Sequence, residues 1–202
     1  MISVEGANGS GKTTFLKLLT GILTPKIGTI AFNNNNPKTK IYKDYMAYFP
    51  TEPYVFGMLT GFEHSFLCTE MWNMKQEEKT NYMKSFKSLC EKLQMTEYLD
   101  KKVINYSQGM KYKIYLISML ARNPTLIFLD EPFTSMDRFS QDFMIDYIKK
   151  NSSKTITIFS SHQYDLVIKL SNKKYIIKNK TLILSKNVVS YENEFLHTRN
   201  YV

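Results

Sequence analysis

The sequence predicts an α/β fold built on a mostly parallel sheet, and three observations predict it. The stretch Gly6-Ala7-Asn8-Gly9-Ser10-Gly11-Lys12-Thr13 matches the pattern G-x-x-x-x-G-K-[ST] at every fixed position. An apolar run, Leu126-Ile127-Phe128-Leu129, ends in Asp130-Glu131-Pro132, as expected of a strand buried on both faces with acids at its C-terminal end. Strand-like and helix-like segments alternate along the chain, which is how helices packed over a parallel sheet read in sequence.

The Gly-rich stretch has a definite physical meaning. Its glycines let the backbone turn so that several N–H groups point inward and cradle phosphate oxygens. Lys12 reaches the β- and γ-phosphates, and the Thr13 hydroxyl ligates Mg²⁺, with Thr14 following. Ile2-Ser3-Val4 before it reads as a short buried strand. Phe15, Leu16, Leu18 and Leu19 after it recur at helical spacing, so the phosphates sit at a helix N-terminus. A chance Gly-rich turn would need neither flank. The reading is a site for a nucleoside triphosphate, formed by Gly6, Ala7, Asn8, Gly9, Ser10, Gly11, Lys12, Thr13 and Thr14.

Composition sets the bounds. A chain of 202 residues, 43% hydrophobic, has enough apolar surface for one large domain or one domain carrying an inserted subdomain. No stretch approaches the roughly 18 consecutive apolar residues of a membrane span, and no apolar leader precedes Glu5, so a soluble intracellular protein is expected. Cys68 and Cys90 lie in apolar-periodic segments and are expected to pack as small hydrophobes. The net charge of +9 comes from lysines scattered with no run longer than two, a general bias rather than a nucleic-acid patch.

In chain order, Gly28-Thr29-Ile30-Ala31-Phe32 reads as a strand, Asn33 to Asn36 with Pro37 as a polar turn, and Tyr45-Met46-Ala47-Tyr48-Phe49 as a second strand stopped by Pro50 and Pro53. From Leu59 to about Asp100 the pattern becomes helical. Phe62, Phe66 and Leu67 are expected to make one apolar face, and Tyr82, Phe86, Leu89, Cys90 and Leu93 another. Tyr106-Ser107-Gln108-Gly109-Met110 leads into a helix ending near Arg122. After the Leu126 run, Phe139, Phe143 and Tyr147 are expected to face inward from a helix. Thr155 to Phe159 forms a buried strand before Ser160-Ser161-His162, and after a short helix Tyr175–Lys178 and Thr181–Leu184 make a hairpin turning at Asn179-Lys180.

Ligands of open α/β sheets gather at the carboxyl ends of the strands. Asp130 there suits a metal-holding role through water, Glu131 can orient and deprotonate an attacking water, and His162 is placed to donate to a γ-phosphate. The order of phosphate loop, Ser-x-Gly turn, Leu-Asp-Glu-Pro and Ser-Ser-His resembles the nucleotide-binding subunit of ATP-binding-cassette (ABC) transporters, over nearly the whole chain to about Leu184.

The resemblance implies a P-loop NTPase fold with a mostly parallel sheet. It divides the chain into a core (1–57 and 108–185), a helical subdomain (58–107, with the signature turn at its end) and a tail (186–202). It makes Lys12 and the loop the ATP site, Thr13 and Asp130 the Mg²⁺ residues, and Glu131 and His162 catalytic. Ser107 and Gly109 become the signature contacts to ATP held by a second subunit, and Ser135-Met136-Asp137 the core of the D-loop. The implied partners are a second nucleotide-binding subunit, identical or not, and a separate transmembrane permease. The implied place is cytoplasmic, peripheral on the inner face of the membrane, and nucleic acid is not expected as a partner.

Three departures from the family pattern shape the expectations. Thr51 stands where the family has a metal-touching glutamine, so it is a weak metal candidate, with Glu52 beside it. Gln108 and Met110 replace the usual Gly and Gln of the signature, as in the similar bacteriocin- and lantibiotic-exporter branch. Only five residues precede Gly6, which reads either as a misassigned start at Met1 or as a shortened subunit. In a shortened subunit the N-terminal antiparallel strands and the adenine-stacking aromatic are expected to be missing or truncated, leaving Gly28–Phe32 an exposed edge. Two other functions share the engine: a soluble cassette ATPase acting on nucleic acid or ribosomes, and a shortened regulatory subunit with poor turnover.

Overall fold

The computed structural model describes residues 1–134, 136–161 and 170–185. The buried apolar runs become a sheet in the order β2-β3-β4-β1-β5-β6, formed by β1 (Ile2–Glu5), β2 (Met46–Phe49), β3 (Leu126–Asp130), β4 (Ile156–Ser160), β5 (Lys173–Lys178) and β6 (Thr181–Leu184). Every neighbouring pair is parallel except the β5–β6 hairpin. Its two-residue turn is the expected Asn179-Lys180, both at positive φ (50° and 60°), the conformation whose twist matches a hairpin.

Alternation along the strands divides the apolar side chains between two cores. Ala47, Phe49, Ile127, Leu129 and Phe159 face one side. There they meet α5 (Gln108–Leu120) and α6 (Arg138–Lys150), with α3 (Gly61–Met71) and α4 (Gln76–Lys92) packed beyond. Tyr48, Leu126 and Phe128 face the other side, against Leu16 of α1 (Lys12–Leu19) and Tyr42 of α2 (Lys40–Tyr45). Period two puts Asp130 on the side of Leu126 and Phe128, and so on the side of the phosphate loop.

The predicted strands at Met46, Leu126 and Ile156, the hairpin and the α4 stripe are all present, and Cys68 and Cys90 are buried free thiols. Gly28–Phe32 is not a strand. Among the described residues its only pairing is the isolated bridge of Phe32 with Asn35, closed by Asn33 and Asn34 at φ 48° and 61°. Strand propensity needs a neighbouring ladder, and this segment meets none among the described residues; Ile27 beside it is 94% exposed. The buried face of α3 is His64, Ser65, Cys68 and Thr69 rather than Phe62, Phe66 and Leu67, and Phe66 is exposed. That face can be buried because the hydroxyls of Ser65 and Thr69 donate to carbonyls of their own turn, those of Phe62 and Phe66. In α6 the buried residues are Ser140, Met144, Ile145 and Ile148. Phe143 and Tyr147 flank them, while Phe139 is exposed under the Lys113 ammonium. The short helix expected before the hairpin lies mostly outside the described residues, as does the 186–202 tail.

Candidate functional site

The loop between β1 and α1 is shaped by its glycines. A Cβ on Gly6 would meet Ser10 Oγ at 2.5 Å and the carbonyl oxygen of Ile177 at 2.9 Å, so only glycine lets the loop leave β1 against β5. Gly11 takes φ 107° as the N-cap of α1, whose first turn holds Lys12, Thr13 and Thr14. Lys12 is 7% exposed, and its ammonium donates to the carbonyls of Gly6 (2.9 Å) and Ala7 (3.4 Å). Burial pushes its pKa below the ordinary lysine value, and the charges of Glu131 and Asp130 partly restore it.

The acids arrive from β3. Asp130 is buried, with its carboxylate held from both flanking strands. Ser160 of β4, its partner across the ladder, donates to Oδ1 at 2.8 Å, and Tyr48 of β2 donates to Oδ2 at 3.3 Å. Burial, then the charge of Asp130, holds the Tyr48 hydroxyl well above the usual phenol range, so it remains a donor. Ser160 Oγ also accepts the N–H of Glu131 at 3.0 Å. Glu131 itself has φ 49°, a left-handed backbone that is costly for a branched-off strand residue. That bend turns the chain off β3 and leaves the Glu131 carboxylate 3.9 Å from the Lys12 ammonium.

Lys12 and Glu131 share one cavity of about 310 Å³, walled by Asn8, Gly9, Gly11, Lys12, Thr13, Thr14 and Glu131. The N-terminal N–H groups of α1, a lysine and two exposed threonine hydroxyls suit a polyphosphate. The donor set also fits Mg²⁺, a hard cation that binds oxygen through one or two carboxylates and substrate phosphates. Among the described residues no group of three or more His, Cys, Asp or Glu could hold a metal without such help.

Comparison with known proteins decides the family. The family model described as "ABC transporter" matches residues 1–134. The chain belongs to the ABC transporter family. The uncharacterized ABC transporter ATP-binding protein YhaQ of Bacillus subtilis (strain 168) is 30% identical over 189 residues, covering 92% of this chain and 62% of that protein. The SkfA peptide export ATP-binding protein SkfE of the same organism is 24% identical over 196 residues, covering 96% of this chain and 80% of that protein. A solved structure of an ATP binding subunit of an ABC transporter superposes with a TM-score of 0.82 at 23% identity, covering 92% of this chain and 78% of that one. It has the same P-loop NTPase fold. The chain thus spans less than two thirds of YhaQ's length.

Within the ATP-binding cassette, Thr51, Ser107, Gly109 and Asp137 lie outside the cavity wall. Ser107 N-caps α5, its Oγ accepting the Met110 N–H at 3.2 Å, and an added Cβ on Gly109 would meet nothing nearer than Ser107 Oγ at 4.0 Å. The turn at Ser107 and Gly109 is open on that side. Thr51 donates to the main-chain oxygen of Asp130 itself at 3.1 Å. Asp137 N-caps α6, accepting the Ser140 N–H at 2.7 Å, and pairs with Lys113 at 2.9 Å. His162 and Ser135 lie outside the described residues. Two residues of the site escaped the sequence reading, Tyr48 and Ser160. Tyr48 stands in a predicted strand and Ser160 just past the predicted end of another, which the structure extends to include it. Only the register between strands reveals that they hold Asp130.

Proposed function

We propose that this chain is the ATP-hydrolysing subunit of a membrane transporter, with a core of residues 1–57 and 108–185, a helical subdomain of 58–107 and a tail of 186–202. The observation that carries the reading is the meeting of Lys12 and Glu131, 3.9 Å apart, at the wall of one phosphate-sized cavity beside the buried Asp130. Lys12 leaves the loop carbonyls for the β- and γ-phosphates and offsets charge that builds there. Glu131 accepts the proton of the attacking water. Thr13 and Asp130 hold Mg²⁺, which neutralises phosphate charge when bound.

The exposed signature turn at Ser107 and Gly109 serves a second cassette: two subunits pair head to tail, each completing the other's ATP site, and a separate transmembrane protein uses their closure. No helix among the described residues is long and apolar enough to cross a membrane, in keeping with a separate permease. The likeness to SkfE, together with Gln108 and Met110, favours a peptide as cargo. Glu131→Gln tests the engine. The variant is expected to bind ATP with wild-type affinity and to hydrolyse it at least about a hundredfold more slowly; unchanged turnover would remove Glu131 as the base.

A further inference from the structure

We infer that Tyr48 is a positioning residue for the Asp130 carboxylate, and that Tyr115 on α5 sets it in place. The inference rests on the reading that Asp130 serves the cation that accompanies ATP.

The case begins with register. Ser160 stands directly opposite Asp130 across β3 and β4, and a short hydroxyl side chain suffices to reach Oδ1. On the other flank the residue opposite Phe128 is Tyr48, a diagonal neighbour of Asp130 two positions back. Diagonal neighbours lie about 7–8 Å apart, within reach of aromatic and long side chains. The Tyr48 phenol reaches Oδ2 at 3.3 Å, so each carboxylate oxygen takes one donor and keeps lone-pair capacity for a cation or its water. The carboxylate is buried, where a lost donor is not replaced by bulk water. With either donor gone, the carboxylate is free to turn about its last torsion.

Tyr48 is held in turn. Its main-chain oxygen accepts the Tyr115 hydroxyl at 2.8 Å, and the Tyr115 ring meets Phe49 edge-on with centroids 6.1 Å apart. Tyr115 belongs to α5, the helix that begins at the Ser107 turn. A displacement of α5 therefore pulls on β2 at Tyr48, and through its phenol on Asp130. This gives the signature end of the cassette a hydrogen-bonded route to the metal acid: α5 to Tyr48, and Tyr48 to Asp130.

Tyr48→Phe isolates the hydroxyl, because the ring stays among Leu16, Leu126 and Phe128. The probe is a fluorescent ATP analogue (mant-ATP), titrated with Mg²⁺ and, separately, in EDTA. Outer-shell partners of metal ligands are worth about 10–100-fold in metal affinity, so the variant is expected to need about tenfold more Mg²⁺ for half of the Mg²⁺-dependent signal. Its binding in EDTA should equal that of the wild type. Tyr115→Phe, which leaves Tyr48 whole, should shift the Mg²⁺ midpoint the same way by less, and this second variant reports even where Tyr48→Phe folds poorly. An unmoved Mg²⁺ midpoint in both variants overturns the inference, as does equal weakening with and without Mg²⁺. If the wild type itself shows no Mg²⁺-dependent binding, the role of Asp130 falls too, which separates that failure from one confined to Tyr48.

Discussion

Glu131 and Lys12 are the residues on which the proposed chemistry turns, and phosphate chemistry dictates the local sequence around them. A cradle of N–H groups needs glycine where side chains would collide, as at Gly6, and a cation at the first position of the helix, as at Lys12. Lys12→Ala is accordingly expected to weaken ATP binding at least tenfold in an equilibrium titration; wild-type affinity would show that the ammonium stays on the Gly6 and Ala7 carbonyls with nucleotide present. The roles of Tyr48 and Ser160 were not legible. A strand sequence states which face a residue takes but not which residue lies across the ladder, and their function is defined only by that neighbour.

At the scale of elements, the buried polar face of α3 carries a pH dependence. His64 is almost fully buried, 3.5 Å from Ser118 Oγ, and burial pushes its pKa below the ordinary 6.5. In the unfolded chain it returns to 6.5, so below that pH the unfolded state binds more protons and stability falls as the pH drops toward the depressed folded value. The loss is at most about 1.4 kcal/mol per pH unit. Urea midpoints between pH 7 and 5 should therefore fall more steeply for the wild type than for His64→Gln, and parallel curves would contradict the assignment. The cap at Ser107 has its own test: Ser107→Ala removes the bond to the Met110 N–H and is expected to cost about 1 kcal/mol in the same titration.

The helices were partly legible for the same reason that α3 was misread. A stripe such as Tyr82, Phe86, Leu89, Cys90 and Leu93 announces its face because apolar burial drives it. The inward face of α3 is made of His, Ser, Cys and Thr, residues that close packing favours but hydropathy does not mark. The six-residue α2 passed unseen, because it is held by the Thr39 cap and by the Tyr42 hydroxyl on the Leu19 carbonyl rather than by an apolar stripe. Gly28–Phe32 erred the other way, having strand composition without a strand beside it.

Over the whole molecule, the parallel sheet and its crossovers followed from the alternation of buried runs and helical stretches, and the hairpin from its turn. What the fold leaves open is the side of the site that Ser107 and Gly109 would complete. If two cassettes share their ATP, Glu131→Gln saturated with ATP should sediment at twice 23.7 kDa, while Lys12→Ala under the same conditions stays at the monomer mass. A monomeric Glu131→Gln at saturating ATP would argue against the shared site.

The left-handed backbone at Glu131 has a consequence for how such a chain is selected. A non-glycine residue at φ 49° forgoes about 1 kcal/mol or more that glycine would not. The main-chain contacts there, to Ser160 and from Thr134, need no side chain. Glu131→Gly should thus melt no lower than the wild type while hydrolysing essentially no ATP. Selection for stability pulls this position toward glycine, and the glutamate persists only where turnover is itself selected.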